Sequence, residues 1–207
     1  MTFDEIIRSR RSIRAYRDEI PHDSLVTAML ESASFAPSPS HSQMVRFILI
    51  QNQDRKNDLH RMLVEGKERF LRVIEVKNLG KKPKNLVRAY SRFAEFMVSA
   101  PLLFAVGTVK VRSFSDRLIE AGVLDENPKG TWDADISTGL ALSAFMLKAT
   151  ELGLGTCVLT APFVFIPGLS HHIHPDVRVT CFVAAGYPAE TPKALERISV
   201  EDLCLTV

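Results

Sequence analysis

The sequence predicts one compact domain in which helices and strands are interspersed, of α/β or α+β type. Three observations carry that reading. Segments with apolar residues at helical spacing alternate with short apolar runs punctuated by proline and glycine. No internal repeat and no linker-like stretch divides the 207 residues. The composition, 46% hydrophobic and 24% charged, is that of a globular chain and excludes disordered, collagen-like and low-complexity classes. A domain of this length buries roughly 70% of the surface its unfolded chain exposes, so it can build a core without staples.

The elements follow in order. Thr2 and Glu5 form a T-x-x-E capping box, which starts a short helix carrying Ile6 and Ile7 inward. After Pro21, Leu25, Ala28, Met29 and Ala33 recur at helical spacing until Pro37. Ser38–Ser42 is a loop by composition, and Phe47–Ile50 reads as a strand. A helix follows with Leu59, Met62 and Leu63 on one face. Gly80-Lys81-Lys82-Pro83 splits the next stretch into two helical pieces. Leu102–Val106 is a strand after Pro101, and residues 110–132 are polar and irregular. Asp135–Leu152 is a long helix, apolar on nearly all sides, hence buried or packed on a partner. Gly153 closes it, an extended segment follows, and Val177–Val183 is a strand ended by Gly186-Tyr187-Pro188.

Charge is unevenly placed. The formal net charge is +2, but residues 67–92 hold nine Lys or Arg against Glu68 and Glu75. That is a local +7, leaving −5 for the remainder. Phe70, Leu71, Val73, Ile74 and Val76 interleave with these cations, so an amphipathic lid fits better than a nucleic-acid-binding module. Cys157, Cys181 and Cys204 form no C-x-x-C and read as core residues of a reduced, cytoplasmic protein. Met1–Glu5 lacks the pattern of a signal peptide. The apolar run Phe96–Val109 is 14 residues and contains Pro101, too short for a membrane span of about 20.

Four groups could carry chemistry. Arg10-Arg11-Ser12-Ile13-Arg14 offers guanidinium forks and a hydroxyl that suit a phosphate, and equally a solvated basic helix end. Ala36–Gln43 offers three hydroxyls, an imidazole and an amide, suited to a polar heterocycle or to a plain connection. Gly153-Leu154-Gly155-Thr156 follows a helix instead of opening one, so it is no dinucleotide fingerprint. His171-His172-Ile173-His174 lacks further ligands at metal spacing and reads as a solvated surface loop.

Taken in order, these segments resemble the FMN-dependent nitroreductase family. The resemblance rests on Arg10-Arg11-Ser12-Ile13-Arg14, on Ala36-Pro37-Ser38 with Gln43 and on Arg46-Phe47. It continues through the apolar helix ending in Leu152-Gly153-Leu154-Gly155-Thr156, Gly186-Tyr187-Pro188 and Arg197-Ile198. It covers residues 2–63 and 95–203 and leaves out the basic segment, which becomes a lid-like insertion at about 67–92 in a single 1–207 domain. The family implies an α+β fold with a mixed central sheet flanked by helices. The long apolar helix would lie at a homodimer interface with two FMN sites.

Carried across, Arg10, Arg11 and Ser12 would hold the phosphate together with Arg197, and Arg14 would reach the pyrimidine side of the flavin ring. Pro37, Ser38, Ser40 and His41 would come from the partner subunit, and backbone amides near Thr160 and Ala161 would meet the flavin edge. The implied activity is ping-pong electron transfer from NADH or NADPH through FMN to a small organic acceptor of nitroaromatic or quinone type. No side-chain nucleophile and no metal is assigned. Oxygen-dependent flavin chemistry or a dehydrogenation on the same fold is the alternative, and a binding role for the basic segment is a further one. Two positions depart from the family: His41 stands for its usual Asn, and Met44-Val45 for its Pro-Trp. His still donates in one tautomer, while loss of the indole changes the wall that an acceptor would meet.

Overall fold

The computed structural model describes residues 1–206. Its order is α1 (Phe3–Ser9), α2 (Asp23–Ser34), β1 (Val45–Leu49), α3 (Gln53–Val76), α4 (Lys81–Glu95), β2 (Leu102–Val109), α5 (Phe114–Glu120), α6 (Trp132–Glu151), β3 (Gly155–Leu159), α7 (Pro162–Phe165), α8 (Leu169–Ile173), β4 (Val177–Gly186) and α9 (Val200–Leu203). The capping box at Thr2 forms as its spacing predicts, each residue's side chain accepting from the other's backbone N–H. Gly153, at φ 76°, ends α6 in the left-handed conformation.

The four strands lie in the order β1-β2-β4-β3, and every adjacent pair is antiparallel. The expected mixed sheet is therefore corrected among the named strands. The one parallel contribution is an isolated bridge from Ser12 to Thr156. Strand direction depends on pairing partners far apart in the chain, which no local pattern encodes.

Helices cover both faces of this sheet, so its central strands are apolar on both sides. Along β2, Leu103 and Ala105 point into a core with Leu59 and Leu63 of α3 and Phe165 of α7. Leu102, Phe104 and Val106 point into a second core with Met29 of α2 and Ala141 and Phe145 of α6. β4 alternates in the same way, with Phe182 and Ala184 on the first side and Cys181, Val183 and Ala185 on the second. The second core is aromatic at its centre: Phe145 stacks on Phe47 at 5.0 Å and meets Phe104 edge-on at 5.3 Å. On the α3 side, the buried Lys56 ammonium donates to Ala100 O at 2.8 Å, and burial lowers its pKa.

Several expectations change. Residues 110–132 are not wholly irregular, since a Ser113–Asp116 capping box starts α5. His171 and His172 sit exposed on short α8 rather than in a loop. Cys157 and Cys181 are buried, but Cys204 is exposed beyond α9. α6 is only half buried in one chain: Trp132, Ile136 and Leu140 remain 66%, 60% and 41% exposed along one stripe. None of the helices among the described residues is long and apolar enough to cross a membrane.

The N-terminal turn of α6 is tied to β4 by Arg178, which donates to the Asp135 carboxylate at 2.5 Å. That hydrogen bond, helped by one from Thr131, holds the Asp135 carboxyl below its usual range. A depressed folded pKa means the contribution is full above the unfolded value of about 3.9 and fades as pH falls through the folded one. Both side chains are near half exposed, so the effect is small. Asp135→Asn is expected to lower the urea midpoint modestly at pH 7, and the two proteins' midpoints should converge below about pH 4. An undiminished gap in acid would remove the ion pair from the account.

Candidate functional site

The segment after α1 is drawn along the free edge of β3. Ile13 N–H donates to Thr156 O at 3.0 Å, and Ser12 bridges Thr156. Gly155 permits the approach, since a Cβ there would lie 2.5 Å from Ile13 Cγ1. Farther along, Arg17 N–H donates to Tyr187 O and Ala189 N–H to Ala15 O. The Tyr16 hydroxyl donates to Ile13 O at 2.6 Å and lies 3.1 Å from Ala184 O. Its burial raises its pKa strongly, so it stays a donor. Residues 12–17 are thus threaded between β3 and the chain leaving β4.

This threading sets out the basic cluster. Arg10 and Ser12 are half-buried at the β3 edge. Arg11 is partly committed: its guanidinium donates to Arg8 O and Arg10 O, covering the end of α1. The backbone N–H groups of Arg14 and Ala15 donate to the Glu190 carboxylate at 2.5 and 3.1 Å. The Arg14 guanidinium reaches Ser12 O only at 3.5 Å and lies 5.4 Å over the ring of Phe93 of α4. Thr160 and Ala161 close the same edge, between β3 and α7, and neither amide N–H is used in a turn or loop hydrogen bond.

The second predicted group lies elsewhere. Pro37, Ser38 and His41 line a cavity of ≈ 610 Å³ with Phe35 and Ala33 of the α2 end, Phe47 of β1 and Ser137 of α6. Ser40 shares their loop, which is tightly wound: Ser40, His41 and Gln43 have φ of 52°, 54° and 46°. Such left-handed conformations cost of order 1 kcal/mol each in non-glycine residues and persist only where the surroundings impose them. Here Gln43 N–H donates to Ser38 Oγ at 3.0 Å, and Arg46 donates to Gln43 O. The Gln43 amide pairs with His41 Nε2 at 2.7 Å, which leaves the proton of neutral His41 on Nδ1.

These two groups are not brought together within one chain. The loop leads into β1 and the basic cluster lies on β3, the two outermost strands, about 14 Å apart across the sheet. Arg197 lies on the exposed segment after β4 and has no hydrogen-bond or ion-pair partner among the described residues, so no contact joins it to Arg10 or Ser12.

Three buried side-chain polar atoms lack a hydrogen-bond partner among the described residues: Arg11 Nε, Ser42 Oγ and Thr156 Oγ1. Folded proteins pair nearly all such atoms. Each of the three falls in one of the segments that the sequence singled out, 10–14, 36–43 and 153–156.

The basic segment is a helical hairpin formed by α3 and α4. On α4, Val87, Ser91 and Ala94 face inward, whereas Leu86, Tyr90 and Phe93 share one open flank and Lys81, Lys84, Arg88 and Arg92 the other. The flank that touches Arg14 carries Tyr90 and Phe93, with Lys82 at its N-terminal end. Within 67–92 two cations are ion-paired, Lys67 with Glu95 and Lys84 with Glu75. Sequence reasoning missed Phe93 and Glu190, which act on Arg14 from 79 and 176 positions away.

An antiparallel four-stranded sheet, helix-covered on both faces, defines an α+β fold. The chain belongs to the Nitroreductase family, whose match spans residues 7–187. YfhC of Bacillus subtilis (strain 168), named as a candidate NAD(P)H nitroreductase, is 22% identical over 200 residues, covering 96% of this chain and 90% of that protein. A BluB-like flavoprotein of Clostridium difficile 630 superposes with a TM-score of 0.82 at 22% identity, over 100% of this chain and 99% of its own. A nitroreductase with bound FMN from Bacteroides fragilis NCTC 9343 gives 0.65 at 21% identity, over 100% and 99%.

The threading makes a direct prediction. Gly155→Ala forces Ile13 or β3 to shift and is expected to cost about 1–3 kcal/mol in urea unfolding, the range of an overpacked core. An unchanged midpoint would show that segment 12–14 does not press on β3.

Proposed function

We propose that this chain is an FMN-dependent oxidoreductase that takes electrons from NADH or NADPH and passes them, in ping-pong fashion, to a small organic acceptor of nitroaromatic or quinone type. The observation that supports the reading is the placement of Arg11 Nε, Ser42 Oγ and Thr156 Oγ1: these buried partnerless atoms fall in segments that the family resemblance assigns to the cofactor or continue them. The FMN bound in the Bacteroides fragilis relative and the nicotinamide in the name of YfhC support the cofactor and the donor.

The chain's own residues would divide the work by charge and position. Arg10, Arg11 and Ser12 would offer donors for a phosphate, joined by Arg197 from the exposed C-terminal segment. Arg14 supplies a cation for the pyrimidine side of the ring, where it stabilises negative charge. The Thr160 and Ala161 amides are free to donate to the ring edge. Bound there, FMN supplies the hydride and electron transfer, and the protein's part is positioning and electrostatics. No side chain is needed as a nucleophile.

The partner's role follows from the strand order. Pro37, Ser38, Ser40 and His41 lie on the far edge of the sheet from the basic cluster, so a site using both groups needs a second copy of the chain. The open stripe Trp132–Ile136–Leu140 on α6 and the exposed Leu195, Ile198, Leu203 and Leu205 provide apolar surface for such a homodimer.

FMN titration followed by flavin fluorescence is expected to reach one equivalent per chain. Arg10→Ala combined with Arg197→Ala is expected to weaken binding by at least about tenfold, since hydrogen bonds to a charged group contribute about 1.5–3 kcal/mol each. Unchanged affinity would contradict the phosphate assignment. Stimulation of NAD(P)H oxidation by a nitroaromatic or quinone would support the acceptor class, and its absence alongside oxygen-dependent turnover would favour the alternative flavin chemistry.

A further inference from the structure

Arg14 is held in an unusual way. Its backbone is pinned by Glu190, but its guanidinium has only the 3.5 Å contact to Ser12 O and is otherwise exposed. The group that positions it is the ring of Phe93, 5.4 Å from Arg14 Cζ. Phe93 is itself braced edge-on by Tyr90 at 6.2 Å, and the two rings stay 49% and 54% exposed. Phe93 thus faces a cation instead of the core.

We propose that Phe93 is a positioning residue for Arg14, through which α4 sets the electrostatic field at the flavin. The inference rests on the assignment of Arg14 to the pyrimidine side of FMN. At an exposed site a cation–π contact favours the docked guanidinium about two- to fivefold over undocked arrangements. A docked cation stabilises the added negative charge of reduced flavin more than a roaming one, so Phe93 raises the reduction potential without touching the ring. The effect is carried by the contact of Phe93 with Arg14, while Lys81, Lys84, Arg88 and Arg92 lie on the opposite flank of α4.

The test is the reduction potential of the bound flavin, measured by dye equilibration on the FMN-loaded protein. Phe93→Leu is expected to move the potential to a more negative value, and Phe93→Trp, which keeps a π face, to hold it near the wild-type value. In an Arg14→Ala background, Phe93→Leu is expected to add nothing. An unmoved potential in Phe93→Leu with FMN bound would overturn the positioning role, as would an equal shift in the Arg14→Ala background. Absence of flavin binding by the wild-type chain would instead overturn the cofactor reading on which the proposal stands.

Discussion

The order of the strands governs what this chain can do alone. β1 and β3 are the outer strands of the sheet, and they carry the two sets of residues that the proposed function needs together. The basic segment is bound to β3 by the Ile13–Thr156 hydrogen bond and by the absence of a side chain at Gly155. The strained loop before β1 is fastened by Ser38, Gln43 and Arg46. Neither can cross the two strands between them, because both cores lock those strands in register. Under the proposed function each chain would supply two half-sites, to be joined by a second copy.

The same sheet explains the surface left open. Burial on both faces consumes the inward sides of α2, α3 and α6, and Phe104, Phe145 and Phe182 are closed off entirely. Apolar residues left exposed include the outer stripe of α6, the segment after β4 and the aromatic flank of α4. The first two suit a second copy of the chain. The third meets Arg14 through Phe93, which links α4 to the N-terminal basic cluster.

How much of this was legible in the sequence depends on the range of each interaction. The capping box at Thr2 and the end of α6 at Gly153 are decided within a few residues and form as read, and the expected split falls at 77–80, with Lys81–Pro83 opening α4. The site segments were legible as motifs, and the partnerless Arg11, Ser42 and Thr156 atoms fall inside them. The antiparallel pairing was not, because β3 pairs with β4 across a connection holding two short helices that the sequence disguises as loop. The aromatic contact on Arg14 was hidden for a similar reason: counting charge over 67–92 records the cations and not which flank of α4 turns toward the site.

The central claim, that the site is completed across two chains, is tested most directly by complementation. One variant would carry Arg10→Ala and Ser12→Ala, the other Ser38→Ala and Ser40→Ala, each reducing FMN binding alone. Co-expressed under random pairing, half the dimers are mixed and each mixed dimer holds one intact site, so about one site in four should recover wild-type affinity. No recovery in demonstrated mixed dimers would contradict a site shared between subunits.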